Sequence, residues 1–216
     1  MEDVIKTSKK NKFKNLWKKF WFIVWKDDSF KGWLISLVFL FIVIKLIFFP
    51  LLTLATGTQL PLAIVESCSM YHKGDIFSNF DNWFARHESK YNSWGITKET
   101  FQNFNLKRGF DKGDILFIVK ANPDKLKVGD IIIFDTGEKS PVIHRIINIS
   151  VNSSGKKIFS TEGDNNNGQL PQEKTITEEQ LVGKAAFKVA PLIGWGKLIF
   201  FESQRPAYER GFCKEQ

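Results

Sequence analysis

Residues 33–52 (WLISLVFLFIVIKLIFFPLL) form one nearly unbroken apolar run. About 20 such residues match a hydrocarbon core about 30 Å thick, so the run predicts a membrane-crossing helix. No face of it is polar, unlike a helix packed on a soluble core. Lys45 is its one charge, placed past the midpoint where its stem can snorkel to the far interface. Pro50 predicts the end of the helix. A cleavable signal sequence has a shorter apolar region of about 7–15 residues, although the small residues Thr53 and Ala55 keep that alternative open.

Beyond residue 105 the pattern changes to short apolar runs bounded by turn residues. Residues 114–120 (DILFIVK), 130–134 (DIIIF), 142–151 (VIHRIINISV) and 156–161 (KKIFST) predict strands, joined by DTGEKSP and NSSG connections. Two consecutive hairpins rich in Ile, Val and Phe predict a mainly β, antiparallel domain, and no βαβ alternation argues for a parallel sheet. Residues 75–109 are polar and aromatic instead, reading as an inserted α or irregular segment with a short helix over 97–104. The resulting organisation is a basic segment 1–32, an anchor 33–55, a domain 56–202 interrupted by 75–109, and a solvated polar tail 203–216.

The net charge of +8 raises nucleic acid, membrane and acidic partners as possibilities. Its distribution decides among them. Residues 1–32 hold nine Lys against Glu2, Asp3, Asp27 and Asp28, a surplus of five that sits beside the apolar run. No nucleic-acid motif accompanies it, and the positive-inside rule places the N-terminus in the cytoplasm and the domain outside it. Residues 16–26 (LWKKFWFIVWK) fit either a helix lying in the lipid interface or a solvated tail with aromatic anchors. Cys68 and Cys213 are too few for a disulfide framework, and one bridge between them is allowed but not dictated.

Three short motifs carry candidate chemistry. In VESCSMY, Ser67 and Ser69 flank Cys68 just after an extended run, offering a nucleophile and a nearby hydroxyl, although serines in turns are commonly structural. In PVIHRI, His144 alternates with Val142 and Ile146, so it sits either as a neutral general base or as a core histidine satisfied by a carbonyl. In TEGDNNN, Asp164 is either an Asx-turn residue or a carboxylate that orients a histidine.

Taken in order, the anchor, S-x-S-M, V-G-D-I-I-I-F, P-V-I-H-R, T-x-G-D-N-N, G-K-A and P-x-x-G-W resemble type I signal peptidases of the archaeal and endoplasmic-reticulum branch, over about residues 33–75 and 110–200. The resemblance implies a membrane-bound serine endopeptidase that removes signal peptides from secretory preproteins, without cofactor or metal. It implies Ser69 as nucleophile, His144 as general base, Asp164 as its partner and Ser67 in support of the oxyanion hole. Val65, Met70 and Val142 are candidate substrate contacts, the substrate lying extended beside 63–66 or 141–144. Lys184 and Trp195 match framework motifs. Expected partners are preproteins, membrane lipid and accessory membrane subunits or a translocon, with no nucleic acid. The expected site is the cell membrane or the endoplasmic-reticulum membrane, crossed once.

The chain also departs from that pattern. Cys68 stands where the family has Gly, and His72 where it has Pro. A second acid five or six places after Asp164 is replaced by Gln169-Leu170, so Asp164 must act alone or a residue of the insertion must substitute. Cys68 reads as a small buried residue behind the active serine, with a thiol nucleophile as the alternative, and His72 competes with His144 as base. Two rival functions follow: a non-catalytic membrane scaffold of the same fold, and a peptidase restricted to surface-protein precursors.

Overall fold

Ser29 starts the long apolar helix. Its hydroxyl accepts the Gly32 N–H at 3.1 Å, satisfying one of the donors a helix start leaves open. The computed structural model containing this cap describes residues 2–74, 80–138 and 140–214, with side chains described from Lys14 onward. It forms two compact units, Met1–Ala55 and Thr56–Gln216.

In the first unit, α1 (Glu2–Lys26) and α2 (Phe30–Val43) make a helical hairpin. The Ser36 hydroxyl donates to the Val24 carbonyl at 2.8 Å, and Phe20 meets Phe39 edge to face at 5.3 Å. Helical structure continues through a π turn at Ile44–Phe48 into α3 (Phe49–Thr56). Residues Phe30–Thr56 thus make 27 helical residues, an 18-residue stretch of which has mean hydropathy 2.8, long and apolar enough to cross a membrane. Pro50 does not end the helix as the sequence predicted. The Phe49 N–H bonds to the Ile44 carbonyl, and this wider turn places the donorless proline at the start of a fresh α segment.

The second unit is built on a six-stranded antiparallel sheet. Its strands are β1 (Leu62–Ile64), β2 (Ile115–Val119), β3 (Ile131–Phe134), β4 (Val142–Val151), β5 (Lys157–Glu162) and β6 (Leu181–Ala190). The spatial order is β1-β2-β6-β3-β4-β5. All four β3 residues are buried: Ile131 and Ile133 join Met70, Phe110, Leu116 and Ile118 on one side, while Ile132 and Phe134 join Ile146, Phe159 and Ile176 on the other. An unbroken apolar run therefore reads as a strand covered on both faces. Strand β6, which the sequence reading did not mark, fits between β2 and β3. A Cβ on its Gly183 would lie 2.5 Å from Ile118 Cγ2, so this narrow strand depends on a missing side chain.

The insertion folds as α4 (Phe80–Asn92) and α5 (Lys98–Gln102). Phe80, Trp83, Phe84 and Tyr91 recur at helical spacing, and with Ile96 and Phe101 they form a third apolar cluster packed on Ile147 of β4. The Thr97 side chain caps α5, inside the predicted 97–104 segment.

Candidate active site

The serine turn follows β1 and is held from both sides by backbone. Val65 N–H donates to the Asp114 carbonyl at 2.9 Å, and Gly113 N–H returns a bond to Val65 at 2.8 Å. Further along, Asn165 N–H donates to the Ser69 carbonyl at 2.8 Å, and the Asn165 side-chain amide donates to the Cys68 carbonyl at 3.0 Å. Gly163 makes this approach possible, because a Cβ there would stand 2.8 Å from the Ser69 carbonyl oxygen. Within the turn, the Ser67 and Ser69 hydroxyls lie 3.1 Å apart.

His144 comes from β4, paired with Ile132 of β3. It is buried, and its Nδ1 bonds to Glu173 Oε1, not to Asp164. Glu173 closes the 3-10 turn Pro171–Glu173 and is fully buried. Its carboxylate also accepts from the Thr161 hydroxyl at 3.2 Å and from the Leu170 N–H at 2.7 Å. With every neighbour donating, Glu173 fits as an acceptor and Nδ1 as the protonated ring nitrogen, which leaves the Nε2 lone pair to receive a proton. Glu173 lies nine residues after Asp164 in the same loop, outside the insertion and past Gln169-Leu170, where the resemblance leads one to expect a second acid.

Asp164 has a different place from the one expected. Next to His144 on β4, Arg145 points to the opposite side of the strand and is fully buried. Its Nε and Nη2 grip Asp164 Oδ1 and Oδ2 at 2.9 and 2.7 Å, and Nη1 donates to the Gly129 carbonyl at 3.0 Å. A buried guanidinium requires a buried carboxylate, and Asp164 is committed to it. The Tyr91 hydroxyl of α4 adds a bond to Asp164 Oδ1 at 2.8 Å, and His72 Nε2 meets Oδ2 at 2.9 Å. Burial alone would raise the Asp164 carboxyl, but Arg145 and His72 override it and hold the group well below the usual carboxylate range. Burial likewise lowers the His72 imidazole against the pull of Asp164. The His72 ring stacks on Trp83 at 3.5 Å and is not part of the cleft wall around Ser69. The insertion is therefore fastened to this network, with Lys90 of α4 donating to the Gly163 and Asn166 carbonyls at 2.7 and 2.8 Å.

Ser67, Ser69, Val65, Val142 and His144 line one cleft of about 650 Å³. Its walls include Ala63, Pro141, Val142 and Ile143. Strand β1 pairs only with β2, and β5 pairs with β4 only from Arg145 onward, so both edges facing the cleft lack a neighbouring strand among the described residues. Met70 is not a substrate contact: it is fully buried in the core, where its sulfur accepts the Asp164 N–H at 3.4 Å. Lys184 pairs with Asp130 at 2.7 Å, and Trp195 Nε1 donates to the Lys112 carbonyl at 2.9 Å, both structural contacts.

Cys68 is neither a free thiol nor a filler behind the serine, because it is disulfide-bonded to Cys213. The C-terminal segment, read as a solvated tail, is accordingly tied to the domain. The Lys112 ammonium donates to Glu202 and to the Glu209 carbonyl, and Arg205 Nη2 meets Glu66 Oε2 at 2.8 Å.

No family model matches the chain. It is similar to the signal peptidase complex catalytic subunit of Zygosaccharomyces rouxii, 37% identical over 65 residues covering 30% of this chain and 38% of that one. A Homo sapiens protein named as a catalytic subunit of the same complex is 33% identical over 63 residues, 29% of this chain and 33% of that one. A second Homo sapiens protein with such a name is 29% identical over 110 residues, 49% of this chain and 66% of that one. The chain thus spans between a third and two thirds of the length of these curated relatives.

Proposed function

We propose that this chain, similar over part of its length to proteins named as signal peptidase complex catalytic subunits, is a membrane-anchored serine endopeptidase that removes N-terminal signal peptides from preproteins. One observation carries the reading: Ser69 and His144 line the same cleft while His144 Nδ1 is committed to a buried carboxylate. In the proposed reaction, Ser69 Oγ attacks the scissile carbonyl and His144 Nε2 takes its proton. The Ser69 N–H and the Ser67 hydroxyl hold the oxyanion. His144 then returns the proton to the leaving amine, and the acyl group stays as an ester on Ser69. A water attacks that ester with His144 again as base, releasing the acid and restoring Ser69. Glu173 holds the imidazole in the working tautomer and stabilises its charged form; Asp164 holds the framework. The substrate lies extended along the two free strand edges, which offer backbone pairing.

The helix Phe30–Thr56 serves as the anchor, with the Lys-rich segment on the cytoplasmic side and the domain beyond the membrane of the cell or the endoplasmic reticulum. The relatives' names refer to a complex, which supports accessory subunits as partners. A serine-directed acylating probe followed by mass mapping tests the assignment. One adduct on Ser69, absent from Ser69→Ala and from His144→Ala, is expected. No adduct on the wild type would replace this reading with the scaffold.

A further inference from the structure

The C-terminal segment and the serine turn meet in a way the peptidase reading does not use. Cys68 lies between Ser67 and Ser69, and its sulfur is bonded to Cys213, 145 residues away in sequence. Around that bond the segment is held by side chains: Arg205 by Glu66, Glu202 by Lys112, and the Lys214 carbonyl by the Asn165 amide at 3.0 Å. Phe212 packs on Trp195 at 5.1 Å. Lys197, Arg205 and Glu209 line the same cleft as Ser69 and His144. Both cysteines are half-buried, within reach of a small thiol.

We propose that residues 202–213 are a strap forming one wall of the substrate cleft, and that the Cys68–Cys213 bond fastens it, so that substrate affinity follows the thiol–disulfide state of the surroundings. The proposal rests on the peptidase reading for its substrate, but the strap itself does not. The switching reagent is a dithiol reductant. One of its thiolates attacks Cys213 Sγ and expels the Cys68 thiolate, and its second thiol resolves the mixed disulfide. Two electrons and two protons pass to the cysteines, which become thiols, and the reductant leaves as its own disulfide. After reduction the serine turn keeps its noncovalent holds, because Asn165 still bonds the Cys68 and Ser69 carbonyls and Tyr71 N–H still bonds Cys68. The strap loses its covalent cross-link to the serine turn and is then held by noncovalent contacts alone: the Arg205–Glu66 and Lys112–Glu202 pairs, the Lys112 and Asn165 bonds to the Glu209 and Lys214 carbonyls, and Phe212 on Trp195. The effect therefore falls on KM more than on kcat.

The test uses the full chain in detergent with a model preprotein, before and after treatment with dithiothreitol, thiols being counted by alkylation and mass. Reduction is expected to raise KM about tenfold with kcat changed less than about threefold, and reoxidation to restore both. Cys213→Ser without reductant should match the reduced wild type and ignore dithiothreitol. Equal KM in both redox states, or a Cys213→Ser variant that still responds, would overturn the proposal. Hydrogen exchange across residues 202–214 decides the strap independently of activity. If the oxidised protein cuts nothing, the peptidase reading fails; faster exchange on reduction still supports the strap, and unchanged exchange sinks it.

Discussion

Replacing Glu173 by Gln changes one atom and tests which acid serves His144. The native carboxylate takes three donors: His144 Nδ1–H, the Thr161 hydroxyl and the Leu170 N–H. An amide has one acceptor oxygen, so one side must fail. If its NH2 faces His144, it donates to Nδ1, the ring proton moves to Nε2, and the lone pair that receives the Ser69 proton is gone. If its oxygen faces His144, the NH2 meets the Leu170 N–H, and a buried unsatisfied donor costs about 1–3 kcal/mol of stability. Wrong-tautomer substitutions of this kind lower kcat by about 10⁴, which is about 5.4 kcal/mol on the barrier. The assay is single-turnover cleavage of a preprotein at saturating enzyme, with thermal unfolding measured alongside. A Glu173→Gln enzyme that retains kcat within about tenfold of wild type would refute the role given to Glu173.

Three further outcomes follow from the same geometry. Asp164→Asn leaves Arg145 buried without its counter-charge and should lower stability by about 3–5 kcal/mol, read as a large drop in melting temperature; a melting temperature within a degree or two of wild type would contradict the framework role. Stability should fall as pH falls, from two lowered folded-state pKa values. Below about pH 6.5 the unfolded chain protonates His72 while the folded one resists, and below about pH 4 the same holds for Asp164, so in both windows the unfolded state binds more protons; melting curves of wild type and His72→Gln between pH 7 and 5 should diverge, the variant being the flatter. Gly163→Ala puts a methyl 2.8 Å from the Ser69 carbonyl and should depress cleavage through a shifted serine turn, visible as lost acylating-probe labelling in a protein that still unfolds cooperatively.

Much of the β core was legible because β3 and β4 state their pattern in their own residues. IIIF is apolar at every position, and VIHRIINISV is long and β-branched. Strand β6 was not legible, because Gly183, Lys184, Ala185 and Ala186 have little strand preference of their own and become a strand through their neighbours. Among the site residues, Ser67, Ser69 and His144 stand in short motifs and meet at one cleft. Asp164 is bonded by Arg145 and not by His144, which its Gly-Asp-Asn turn alone does not show. An arginine between His144 and Ile146 in an apolar strand has to be buried, and its need for a carboxylate could have claimed Asp164 and freed the histidine for another acid. Glu173 itself sits in an ordinary Pro-Gln-Glu turn whose position depends on how the loop returns to β5. The disulfide was open on sequence for the same reason, since only the fold brings residue 213 to residue 68.

The central claim is that Ser69 and His144 cut preproteins, and the direct measurement is cleavage of a model preprotein by the detergent-solubilised full chain, with the new N-terminus identified by mass. Wild type should cut once, after a small residue, and Ser69→Ala and His144→Ala should fall to background while remaining folded. Cleavage by Ser69→Ala at the wild-type rate and position would contradict the account.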